Sequence, residues 1–193
     1  WSSWSTNRGT TSGWSRIFAS ATSAIRPSMM TEVSRISGRA PFTSREFRNA
    51  MGQFASGVVV ISANSDSGAH AMTANAFMSG SLEPPLVVIS VAVTARMHGL
   101  LQEQDGFGVS ILTSVQERTS NHFAGRRSPD FAPRFADLEG MPTIDGAAVR
   151  IAADKIHAYA CGDHTLFVGH VRALHSQQEV RPLLYHSGKY GAV

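Results

Sequence analysis

Short runs of β-branched and aliphatic residues, each closed by turn-forming residues, constrain this 193-residue chain more than any other feature. Gly57-Val58-Val59-Val60-Ile61 continues to Ala63 and meets Asn64-Ser65-Asp66-Ser67-Gly68, the pattern of a strand entering a hairpin. Further strands are predicted at about 70 to 76, 86 to 93, 107 to 112, 147 to 160 and 164 to 174, with a last one around Leu183 to Tyr185. Helices are few and short. Thr43 and Glu46 have capping-box spacing, and Phe47, Ala50, Met51 and Phe54 fall on one buried helical face, so a helix is predicted to about Phe54. A second covers roughly Arg96 to Gln104, and a third is introduced by Ser114 and Glu117 and ends near Phe123. Arg126 to Gly146, with three prolines, reads as a long loop. Strands that do not alternate with full-length helices predict a mainly β chain, rolled into a closed antiparallel barrel without exposed edge strands.

Composition narrows the class. A hydrophobic fraction of 42% and a charged fraction of 16% describe a folded globular chain. The apolar runs are far shorter than the roughly 20 residues of a membrane-spanning helix, so no membrane partner is expected. The formal charge of +3 is scattered, which argues against nucleic acid as a partner. Cys161 is the single cysteine, so no intramolecular disulfide forms and no zinc spacing exists; a reducing cytoplasm is the expected location and a buried, inert thiol the expected state. Glycine-rich dinucleotide and phosphate loops, zinc-protease and esterase motifs are all missing. Residues 1–40 are rich in Ser, Thr and Arg, hold all three Trp and carry no acid before Glu32. They read as a leader or flexible N-terminal extension ahead of the domain at 41–193; a transit peptide would need a better amphipathic period, and an extension ahead of Met29 or Met30 is the simpler expectation.

One stretch carries candidate chemistry. From Ala71 to Leu86, small polar residues stand where a strand would ordinarily be bulky, and small side chains let a ligand approach the backbone. Thr73 to Ser79 could offer backbone N–H groups beside an aromatic wall, or could form the polar outer face of an ordinary strand.

Together with Phe54-Ala55-Ser56-Gly57-Val58-Val59-Val60-Ile61, this stretch resembles the flavin reductase-like family. The likeness continues in order through Phe107-Gly108-Val109-Ser110-Ile111-Leu112, Phe123-Ala124-Gly125, Gly162-Asp163-His164-Thr165-Leu166-Phe167-Val168-Gly169 and Pro182-Leu183-Leu184-Tyr185-His186-Ser187-Gly188-Lys189-Tyr190. It implies an FMN-binding split β-barrel, Greek-key and antiparallel with a few short helices, assembled as a homodimer. The implied activity is transfer of a hydride from NADH or NADPH to FMN or FAD, with reduced flavin diffusing to a flavin-dependent monooxygenase acting on an aromatic compound. A non-catalytic flavin-binding or electron-transfer protein on the same barrel is the alternative.

The resemblance also implies site residues. Thr73, Ala74, Asn75, Ala76, Phe77 and Ser79 match the segment that holds the flavin ring and ribityl chain, and Ser90, Val91, Thr94, Arg96 and Met97 match the segment near its phosphate. Hydroxyls and a guanidinium suit a phosphate dianion, although Arg96 could equally be a solvated helix start. Phe123, Ala124 and Gly125 are expected to close the pocket. His164 matches a histidine near the nicotinamide, expected to orient the dinucleotide rather than act as an essential acid, while Asp163 either orients His164 or caps a turn. Tyr185 and Tyr190 match aromatic positions that pack on flavin, on a second subunit or over the core.

Overall fold

The computed structural model describes residues 41–192; the predicted leader, residues 1–40, lies outside the described residues. Helix α1 (Ser44–Met51) opens with the predicted box: the Thr43 hydroxyl accepts from the Glu46 amide at 3.2 Å, and the Thr43 amide donates to Glu46 Oε2 at 2.7 Å. Its apolar face corrects the expectation of burial. No residue of α1 is buried, and Phe47, Met51 and Phe54 are 52%, 55% and 80% exposed, because no element among the described residues covers them.

Strands follow in the order β1 (Ser56–Gly57), β2 (Val59–Ser65), β3 (Gly68–Ala74), β4 (Phe77–Leu82) and β5 (Pro85–Ala92). Next come α2 (Arg96–Glu103), β6 (Gly106–Ile111), a 3-10 turn (Ser114–Gln116) and α3 (Glu117–Phe123). The chain finishes with β7 (Phe135–Leu138), β8 (Met141–Ile144), β9 (Val149–Cys161), β10 (His164–Ser176), β11 (Leu183–His186) and β12 (Lys189–Ala192).

Seven strands pair antiparallel in the order β3-β2-β6-β9-β10-β5-β4. The edge strands β3 and β4 are consecutive in the chain, joined only by Asn75 and Ala76. Three Cα–Cα steps of about 3.8 Å cannot separate their ends by more than about 11 Å, so the sheet must roll until its two edges approach. No ladder bonds cross between them, and the expected closed barrel is therefore corrected to one that is split along the β3/β4 seam. A second sheet, β1-β11-β12, and a two-stranded ribbon, β7-β8, complete the fold.

β2 explains how one sheet feeds two cores. Val59, Ile61 and Ala63 point with Ile89, Phe107, Leu101 and Phe167 into one buried cluster, while Val58 and Val60 point into a second with Leu112, Ile144 and Leu183. That alternation is the two-residue strand period, and burial on both faces is why the run is so uniformly apolar.

Three further expectations are corrected. The stretch 126–146 is not all loop, since β7 and β8 form a hairpin inside it. Pro142 is accommodated because side chains dock β8 in place of a wider ladder: the Ser62 hydroxyl donates to the Pro142 carbonyl, and Ser110 Oγ accepts from the Ile144 amide at 2.8 Å. The box expected at Ser114 and Glu117 falls one residue earlier and caps the 3-10 turn that leads into α3, with the Thr113 amide donating to Gln116 Oε1 at 3.1 Å. Cys161 is exposed rather than buried, because it ends β9 at the tip of the long β9–β10 ribbon, beyond the core.

Candidate active site

The seam produces a cleft. Where β3 leaves the sheet, Thr73, Ala74 and Asn75 line a depression of about 170 Å³ with Val58, Ala124, Arg126, Tyr185 and Tyr190. Six residues expected from the sequence thus converge from three separate parts of the chain. A wider cavity of about 620 Å³ adjoins it, sharing Asn75 and Tyr185 and walled by Arg48, Asn49, Gln53, Ser187 and other residues of the α1 exit and the β11–β12 turn. That exit is pinned in place: the Ser187 amide donates to the Gly52 carbonyl at 2.8 Å, and Gln53 Nε2 to Ser187 Oγ at 3.2 Å.

Local structure sets each wall. Tyr185 and Tyr190 face each other across the β11–β12 hairpin, one ring edge-on to the other at 5.3 Å. Ala124 follows the last turn of α3, and Gly125, at φ +86°, takes the left-handed conformation that lets the chain turn away. Phe123 points elsewhere, into the second core cluster and toward Phe135 at 5.8 Å. Phe77 packs on the first cluster, Ser79 is exposed on β4, and neither lines the cleft. Ala76 lines neither cavity, and its carbonyl is taken up by the Ser90 amide at 3.1 Å.

The remaining candidates gather at the end of β5. Ser90 is half-buried, and Thr94 and Arg96 are exposed. Val91 and Met97 turn inward with 0% and 1% exposure, so a ligand can meet them only through the backbone. The strand period that buries Val87, Ile89 and Val91 together, and the four-residue spacing of Met97 and Leu101 on α2, were both signals of this. His164 opens β10 opposite Ala92, beside the same turn, since the Val93 amide donates to the Asp163 carbonyl at 3.0 Å. It lines neither cavity. Its Nδ1 lies 2.8 Å from Asp163 Oδ1, and that bond holds the Asp163 carboxyl below its usual range.

Arginines set positive charge beside β3. His70 on β3 is held below the ordinary imidazole value first by burial, then by the positive charges of Arg96 and Arg127. Burial likewise lowers His122, with Arg127 adding to the effect. Arg126, which the sequence places only at the start of a loop, lines the cleft, and the signal for it is the pair of consecutive cations directly after the Ala124-Gly125 segment. An aromatic pair, exposed backbone and nearby guanidinium groups form the donor set suited to a planar heterocycle carrying phosphate.

Comparison with known proteins agrees with this chemistry. The model of the flavin reductase like domain matches residues 51–193. A curated relative, an NADH-dependent flavin reductase of Rhodococcus sp., is 38% identical over 151 residues, covering 77% of this chain and 85% of its own. The reductase component of 4-hydroxyphenylacetate 3-monooxygenase from Thermus thermophilus is 38% identical over 145 residues, 75% of this chain and 93% of its own. Among solved structures, the flavin reductase PheA2 in its native state superposes with a TM-score of 0.76 at 41% identity, covering 79% of this chain and 99% of that one.

Proposed function

The chain belongs to the flavin reductase-like family, and from that premise we infer its function: it is an NADH-dependent flavin reductase that supplies reduced flavin to a partner monooxygenase. The convergence of Thr73, Ala74, Asn75, Ala124, Tyr185 and Tyr190 on one cleft at the seam carries our assignment of that cleft to the flavin ring. Either FMN or FAD suits these residues. The flavin, when bound, supplies the hydride acceptor.

The protein's part is placement. Backbone groups of Thr73 to Asn75 would hold the polar end of the ring, and the Tyr185 and Tyr190 rings its apolar end. Arg96, with Ser90 and Thr94, would meet the phosphate, assisted by Arg127, whose charge reaches the same His70. His164, held by Asp163, would orient the nicotinamide; it needs no proton-transfer role, because hydride transfer asks for alignment more than for an acid or base.

We assign the working form to a homodimer, supported by the uncovered apolar face of α1, and the location to the cytoplasm, supported by a single, exposed, free thiol. The test mixes purified protein, NADH and FMN or FAD and follows absorbance at the nicotinamide band. Flavin-dependent NADH oxidation is expected, slowed about tenfold in His164→Ala, the worth of one well-placed hydrogen bond to a charged or reacting group. No flavin-dependent oxidation by the wild type sinks the reductase reading in favour of a flavin-binding protein; an unchanged rate and unchanged KM for NADH in the variant removes His164 from the site.

A further inference from the structure

Ser120, on α3, has no exposed surface, yet it is bonded to both walls of the cleft. Its backbone carbonyl accepts the Thr73 hydroxyl at 2.7 Å, and its own hydroxyl lies 2.8 Å from the Tyr190 hydroxyl. Thr73 stands on β3 of the seven-stranded sheet and Tyr190 on β12 of the three-stranded one, and those sheets share no ladder. Leu183 of β11 ties the two sheets through backbone bonds with Val58 and Leu112, and at the cleft itself one buried residue, Ser120, bridges their side chains. The bonds also decide what each wall can offer. The Thr73 hydroxyl proton is engaged with α3, leaving its backbone for a ligand, and the Tyr190 hydroxyl is engaged with Ser120, leaving its ring.

We propose that Ser120 is a positioning residue for the flavin: without touching it, Ser120 holds the Tyr190 ring and the Thr73 strand at the separation that admits the isoalloxazine. This rests on the reading of the cleft as the flavin site. A hydroxyl pair inside a buried setting is worth keeping together, because an unpartnered polar group there is destabilising and would let the ring swing.

The experiment measures FMN dissociation constants by quenching of flavin fluorescence, with kcat and KM for FMN, in Ser120→Ala, Tyr190→Phe, the double variant and Asn75→Trp. Ser120→Ala and Tyr190→Phe delete the same bond from opposite ends. Each is expected to weaken FMN binding about fivefold, and the double variant no more than either single one. The loss should appear in KM for FMN, as for an interaction that shapes binding. Tyr190→Phe removes only one half-buried oxygen and keeps the ring, so it reports even if Ser120→Ala folds poorly. Losses that add in the double variant, or wild-type affinity in Tyr190→Phe, overturn the proposal. Asn75→Trp fills the cleft from its exposed rim and is expected to abolish binding; wild-type affinity there overturns the cleft itself, and the role of Ser120 with it, whereas lost binding in Asn75→Trp beside a silent Tyr190→Phe overturns Ser120 alone.

Discussion

His70 shows how a residue outside the cleft can report on it. Burial and the charges of Arg96 and Arg127 depress its pKa, so between the depressed value and the ordinary 6.5 the folded protein binds fewer protons than the unfolded chain. Stability therefore rises with pH through that window and levels off above it, and His122 contributes with the same sign. If Arg96 meets the flavin phosphate, the bound dianion offsets the guanidinium charge that His70 feels, and the His70 pKa rises. NMR titration should show that rise with FMN and none with riboflavin, which lacks phosphate; an FMN complex whose His70 titrates as in the free protein would take Arg96 out of the phosphate site. The residue types on this side were legible in the sequence, but their directions were only partly so. Ser90 and Val91 are neighbours pointing to opposite faces of β5, and resemblance alone treated them alike.

At the scale of elements, two glycines separate backbone demand from composition. A Cβ on Gly108 of β6 would lie 2.5 Å from the Pro142 carbonyl oxygen and 2.6 Å from Ser62 Oγ, so the β7–β8 ribbon would have to lift off the sheet. Gly108→Ala is expected to destabilise by about 1–3 kcal/mol, the usual range for forcing volume into a packed interior. Gly99, within α2, meets nothing within 4 Å, so Gly99→Ala is expected to stabilise by about 0.5–1 kcal/mol through helix propensity. Urea denaturation of both variants checks the contrast, and equal effects would contradict it. α1, α2, the β2–β3 hairpin and the long β9 and β10 were readable because caps, turns and β-branched runs are local signals. The β7–β8 ribbon was not, since its strands are four residues long, broken by proline, and held by hydroxyls from β2 and β6 that lie far away in sequence.

For the whole molecule, the apolar face of α1 is the feature a lone chain leaves unexplained. Phe47 and Met51 stand one turn apart, each more than half exposed, with Phe54 beyond them. A homodimer that covers this face should elute at twice the 20.7 kDa chain mass, and Phe47→Glu with Met51→Glu should elute as a monomer with an unchanged far-ultraviolet circular dichroism spectrum, since neither side chain supports the core. A monomeric wild type would end the dimer proposal. The helical period on which burial of this face was expected is present; what the sequence did not contain is where the covering surface comes from.

By itself the sequence determined the kinds of element and the apolar strands of the core, because propensity, turn chemistry and the two-residue strand period act over a few neighbours. Tertiary structure alone decided that β3 and β4 become the two edges of one rolled sheet, that Arg126 joins the cleft, and that Ser120 ties Thr73 to Tyr190. Those are pairings between residues tens of positions apart. They follow from which strands find each other and in what register, and a shift of one residue in that register would turn every side chain on a strand to the other face.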